Sequence, residues 1–352
     1  MHIHRLPHWN VMSLPSAHRI DFGIRRSVSN LAIRRVRIRR LWILFAVLTM
    51  VPISICGAAR SARPTQLGGY KAVPVHYGPL NKMIMSVNIN GQPANLLVDT
   101  GADQMILDAG AAESLGVRPS ERGLRYIRFT QINGQLLPVG FAQSVTAGSM
   151  NFGSSPVALR NSSTGGRFSN RPEARNVGID GVLGLDILVR HKAVINCRTK
   201  FVFFKVDPSR QMHLASVALS EKFTKVAMRR EENGALTVLC SIHGQPARLL
   251  VDTGAFITTF NEAFVNSLGI ALQPTRASAR FTSGVARKIS AGQVDDLRIG
   301  DFKVPPAKFA VAALPNFALQ QGNTRISAIL GMDLLFSCHG IIDFDSMNLF
   351  LK

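Results

Sequence analysis

Two stretches of the chain alternate apolar and polar residues. Met83, Met85, Val87 and Ile89 fall on every second position, and so do Leu236, Val238, Cys240 and Ile242. A period of two puts such side chains on one face of a strand, so each stretch predicts a half-buried β-strand. Each is followed by a continuous apolar run, Leu96-Leu97-Val98 and Leu249-Leu250-Val251, which predicts a short buried strand. Val/Ile runs recur elsewhere and no long helical period stands out, so the expected fold is mostly β.

These stretches are copies of one another. GQPANLLVDTGA at 91–102 recurs as GQPARLLVDTGA at 244–255, with 11 of 12 positions identical at an offset of 153. The register continues downstream, where Ser114-Leu115-Gly116-Val117 matches Ser267-Leu268-Gly269-Ile270. A second block closes each copy: GIDGVLGLDIL at 178–188 pairs with RISAILGMDLL at 325–335, at an offset of 147. The six-residue difference is assigned to an insert in NSSTGGRFSNRPEARN (161–176), whose Ser, Gly, Asn and Pro content predicts a surface loop. Two long copies are too few for a solenoid, so the repeat predicts two lobes related by a pseudo-twofold axis. The expected boundaries are 60–206 for the first lobe, 207–222 for a linker and 223–352 for the second. A length of 352 residues suits two lobes better than one core.

The net charge of +20 would suggest a nucleic-acid binder if it were evenly spread, but it is not. Residues 1–40 hold nine arginines against the single acid Asp21, and the remaining basic residues are scattered without interleaved aromatics. No nucleic-acid partner is expected. The basic run RRVRIRR leads directly into LWILFAVLTMVPISIC at 41–56, followed by Gly57, Ala58 and Ala59. That order resembles a secretory signal; 41–59 is read as a signal peptide cleaved near Ala59 or as an uncleaved signal anchor, with an Arg-rich transit peptide as a further reading. Either of the first two leaves the arginines on the cytoplasmic side and the lobes outside it, periplasmic or secreted, with membrane anchorage through 41–59 in the second case. Cys197 and Cys240 sit among apolar residues and are expected as buried free thiols, and no spacing suggests a metal site or a cofactor.

A lone Asp-Thr-Gly is weak evidence, because such triplets are usually turns. Two copies in register, each delivered by Leu-Leu-Val, are specific. Glycine permits a tight turn beside the carboxylate, its amide has a donor to offer, and the Thr hydroxyl reaches towards the facing loop. A twofold axis between the lobes would bring Asp99 and Asp252 together. Neither G-x-S-x-G, nor G-x-G-x-x-G, nor a P-loop occurs.

The pattern apolar-apolar-Asp-Thr-Gly-Ala, followed about 80 residues later by apolar-Leu-Gly, resembles the pepsin/retropepsin family of aspartic peptidases, and its bacterial retropepsin-like branch in particular. The resemblance spans roughly 71–352. It implies a two-lobed acid-protease fold, a polypeptide substrate, catalytic aspartates Asp99 and Asp252, and no metal. It implies support of the catalytic loops by Thr100, Gly101, Thr253 and Gly254, and by Gly184 and Gly331 of the Leu-Gly blocks. It also implies β-hairpin flaps, assigned to 130–139 with Ile132, Asn133 and Gly134 facing substrate, and to 281–290 with Ser283 and Gly284. Asp103 is the expected contact for the substrate backbone in the first lobe, whereas Phe256 stands at that position in the second. The alternatives are a non-catalytic peptide-binding or assembly module on the same fold, and halves that pair between chains. Both aspartates are present and the halves have diverged, so an intramolecular, monomeric endopeptidase is the expected function.

Overall fold

Each half of the protein is built on a tight hairpin whose turn explains part of the repeat. The computed structural model describes residues 67–352 except 120, 123–125, 133–134, 162–177, 281–285 and 322. The basic region 1–40, the segment 41–59 and nearly all of the assigned insert lie outside the described residues. Strand Met83–Ile89 pairs antiparallel with Gln92–Val98, and Leu236–Ile242 with Gln245–Val251. Asn90-Gly91 and His243-Gly244 join them with positive φ at all four residues, 51° and 81°, then 49° and 75°. Two consecutive left-handed residues twist with the strands they connect, which is why glycine opens each copy of the motif. Met83, Met85, Val87 and Ile89 are buried while Ser86 and Asn88 are exposed, as the alternation requires.

The closing blocks return beside the motif strands. Gly181–Leu183 runs parallel to Gln92–Val98 and antiparallel to Ile106–Asp108. In the second half Ala328–Leu330 lies in the same way against Gln245–Val251 and Thr259–Asn261. Flanked on both edges, these strands are fully apolar: Leu96, Val98, Leu183, Leu249, Val251 and Leu330 have no solvent exposure. They belong to one continuous core that includes residues of both halves.

Beneath the lobes a shared antiparallel sheet joins them. Its strands follow the order Tyr70–Pro74, Phe201–Lys205, Val194–Asn196, Ile341–Asp343, Asn348–Leu351 and Thr224–Ala227. At its centre Ile195 pairs with Ile342, its own repeat-mate at the offset of 147. A residue that pairs with its own copy lies on the pseudo-twofold axis, so the protein is a mostly β, two-lobed structure with that symmetry. The stretch 207–222, expected as a plain linker, contains helix Leu214–Ser220. Ala218 of this helix is buried with Tyr70, Val194, Phe203, Ile341 and Phe350, so the connection packs on the shared sheet. Among the described residues no helix is long and apolar enough to cross a membrane.

Candidate active site

Strands Gln92–Val98 and Gln245–Val251 run head-on towards the pseudo-twofold axis, and each ends one residue before its aspartate. The two loops then lock by four reciprocal bonds. The Thr100 amide donates to Thr253 Oγ1 at 3.0 Å, and the Thr253 amide donates to Thr100 Oγ1 at 3.0 Å. Thr100 Oγ1 donates to the Val251 carbonyl and Thr253 Oγ1 to the Val98 carbonyl, each at 2.8 Å. Each buried hydroxyl therefore accepts one bond and donates another, and neither is left unmatched.

This lock brings the aspartates together. A Cβ on Gly101 would lie 2.5 Å from the carboxyl carbon of Asp252, and one on Gly254 would lie 2.3 Å from that of Asp99. Each loop thus lays its glycine backbone against the other lobe's carboxylate, and any side chain there would displace it. The closing blocks hold the loops from behind. Leu183 and Leu330 accept from the amides of Asp99 (3.1 Å) and Asp252 (3.0 Å), and the amides of Leu185 and Met332 donate to Ala102 and Ala255 at 2.8 Å. The approach is close enough to require Gly184 and Gly331. A Cβ there would sit 2.5 Å from the Gln104 carbonyl oxygen and 2.7 Å from the Ile257 carbonyl carbon.

The two carboxyl groups differ in their hydrogen bonds. Asp99 Oδ1 accepts from the Gly101 amide at 2.8 Å. Asp252 Oδ1 accepts from two amides, Gly254 at 2.8 Å and Ala255 at 3.0 Å. Burial holds Asp99 well above the ordinary carboxylate range, and the adjacent Asp252 charge raises it further; the Gly101 amide and the Arg160 guanidinium oppose the rise. Burial also raises Asp252, but its bond to Asp99 and the amides of Ala255 and Gly254 pull it back. Both carboxyls are thus raised, and the pair holds a shared proton, with Asp252 the better hydrogen-bonded of the two.

The first flap assignment falls on a hairpin. Thr130 pairs with Leu137 and Ile132 with Gln135, and Asn133 and Gly134 between them lie outside the described residues. Thr130 Oγ1 accepts from Gln104 Nε2 at 2.9 Å, and Leu137 and Ile132 pack with Leu97, Ala102, Ile106 and Val182. The hairpin's inner face thus rests on the loop that follows Asp99. A neighbouring cavity of about 50 Å³ shares Leu97, Ile106 and Val182 and is lined also by Lys82, Asp108, Arg160 and Asp180. In the second lobe Arg280 pairs with Ala286, which leaves 281–285, with Ser283 and Gly284, outside the described residues. Asp103 is exposed next to the first loop, and Phe256 holds the matching place in the second.

One part of the site was not singled out in the sequence. The Thr258 amide and hydroxyl both donate to Asp333 Oδ1 at 2.7 Å, and Thr258 Oγ1 accepts from the Gly331 amide at 3.0 Å. This clasp ties the loop after Asp252 to the closing block. The doubled Leu-Gly-x-Asp carried half of the signal, since Asp186 is the copy of Asp333. The other half is unpaired, because Met105 stands where Thr258 does and has no hydroxyl.

The family model described as aspartyl protease matches residues 85–187 and 238–334, more than half of the chain. Among solved structures, an aspartic proteinase from Irpex lacteus aligns at 12% identity and a TM-score of 0.45, over 80% of this chain and 97% of that one. No curated protein matches the chain.

Proposed function

Because the chain belongs to the aspartyl protease family, we propose that it is an endopeptidase that hydrolyses polypeptides with a water activated between Asp99 and Asp252. The observation that carries this reading is the reciprocal packing of Gly101 on the Asp252 carboxyl and Gly254 on the Asp99 carboxyl, which forces two acids into one site. Two carboxylates about 3 Å apart at an effective dielectric near 20 would repel by roughly 5 kcal/mol, so one proton is retained between them. Such sharing is the known pattern of aspartic proteases.

In the reaction the ionised Asp252 takes a proton from the bound water as its oxygen attacks the peptide carbonyl carbon. Asp99 gives its proton to the carbonyl oxygen, and a neutral tetrahedral diol results. Asp252 then returns its proton to the amide nitrogen, the C–N bond breaks, and Asp99 recovers a proton from a diol hydroxyl as the new carboxyl group forms. No covalent enzyme intermediate is required. The backbone donors on Asp252 support its role as base, and the poorer hydrogen bonding of Asp99 supports its role as acid.

An unfolded polypeptide substrate, followed by the appearance of new amino termini, tests this reading. Asp99→Asn and Asp252→Asn should each lower kcat by about 100-fold or more while the protein stays folded. Wild-type turnover in either variant would show that the two acids do not act as one unit. The sequence at 34–59, a basic run followed by a short apolar one, supports an extracytoplasmic setting for the lobes.

A further inference from the structure

The pseudo-twofold axis makes every position in the first loop comparable with its copy in the second, and the two differ sharply just beyond the Asp-Thr-Gly-Ala motifs. In the first lobe the residue is Asp103, exposed and charged. The second lobe's turn Glu231–Ala235 closes on it: Asp103 Oδ1 lies 3.4 Å, and Arg230 Nη2 3.6 Å, from the place a Cβ on Gly234 would take. The facing turn keeps water from part of the otherwise exposed Asp103 carboxyl and raises it, and the Arg230 charge opposes that rise. This end therefore presents a carboxylate with a guanidinium beside it. In the second lobe the residue is Phe256, a large ring left 43% exposed. The copy of the Gly234 turn is Pro79–Asn81 in the first lobe, where Leu80 is 60% exposed at a φ of 62°. Polar groups on one side of the axis are thus replaced on the other by apolar ones that stay open to solvent, at a cost that burial by an apolar partner would remove.

We propose that Phe256 is a specificity-determining residue that gives the substrate groove one apolar end. The enzyme then selects segments with a large apolar side chain on the Phe256 side of the scissile bond. At the symmetry-equivalent position on the other side it accepts polar residues, where Asp103 offers an acceptor and Arg230 donors. Substrates would be read in one direction, which two identical lobes could not enforce. The inference rests on the peptidase reading for its link to cleavage, but not for its prediction about binding.

The experiment is a positional-scanning peptide library, read by cleavage with the wild-type chain and by binding with Asp252→Asn. Exchanging Leu or Phe for Ser at the position facing Phe256 should reduce kcat/KM and affinity by about 10-fold or more, with little effect at the equivalent position on the other side. Phe256→Asp should abolish that preference, and Phe256→Ala should weaken it. Asp103→Phe should create a second preference on the opposite side. Equal apolar preference on both sides, or a profile unchanged by Phe256→Asp and Phe256→Ala, overturns the inference while leaving the peptidase reading intact. Absence of cleavage together with one-sided, Phe256-dependent binding overturns the peptidase reading and leaves the inference standing. Absence of any apolar-selective binding overturns the inference.

Discussion

Asp99 and Asp252 open two loops of nearly identical sequence, yet one backbone amide separates their chemistry. The Ala255 amide reaches Asp252 at 3.0 Å, giving that carboxylate a second donor that owes nothing to its side chain. An alanine at this position thus still contributes a hydrogen bond to the carboxylate, through its backbone. Burial nevertheless raises both groups above the ordinary value of 3.8. A carboxyl raised in the folded state favours folding below the unfolded value and loses that contribution as pH rises through the folded value. At neutral pH the pair therefore costs stability. Asp99→Asn should raise stability at pH 7 by on the order of 1 kcal/mol, roughly 2 °C in Tm at this chain length, and the gain should vanish below about pH 4. Thermal melts of both proteins at pH 3.5, 5 and 7 check this; a gain that is constant with pH contradicts the linkage.

The two halves differ most clearly at the scale of an element in the clasp between the post-motif loop and the closing block. In the second half Thr258 is fully buried and joins Gly331 to Asp333. Removing its hydroxyl leaves the Gly331 amide without an acceptor and Asp333 with one donor fewer. Thr258→Val should lower stability by about 1–3 kcal/mol, the usual cost of leaving a buried polar group unmatched. Thr258→Ser should restore most of it. Urea unfolding of the pair separates loss of the hydroxyl from loss of volume, and equal midpoints would show that the hydroxyl contributes nothing. The strands themselves were legible, because apolar residues recur at every second position from Met83 to Ile89 and from Leu236 to Ile242, and run without a break from Leu96 to Val98. The hairpin turns were less so. Gly91 and Gly244 announce a left-handed residue, but Asn90 and His243 take positive φ only because the strands on either side demand the twist.

The pseudo-twofold axis of the whole molecule passes through residues of one chain. Ile195 meets Ile342, and Thr100 meets Thr253. A site assembled within one chain does not depend on association, so specific activity should stay constant on dilution through the nanomolar range. A fall in specific activity on dilution, reversed by concentrating the protein, would show that the halves pair between chains instead.

The sequence by itself determined the elements and the candidates: the strands from their period, the two lobes from the repeat, and Asp99 and Asp252 from a doubled motif. These are local or copied features, and one-dimensional order preserves both. Tertiary structure decided what depends on approach across the axis. Gly101 had to be glycine because of a carboxylate 151 residues away, and Asp252 became the better hydrogen-bonded carboxyl because the Ala255 amide turns towards it. The helix within 207–222 packs because the shared sheet offers it a surface. None of these leaves a periodic trace, since each arises from distance in space between residues far apart in the chain.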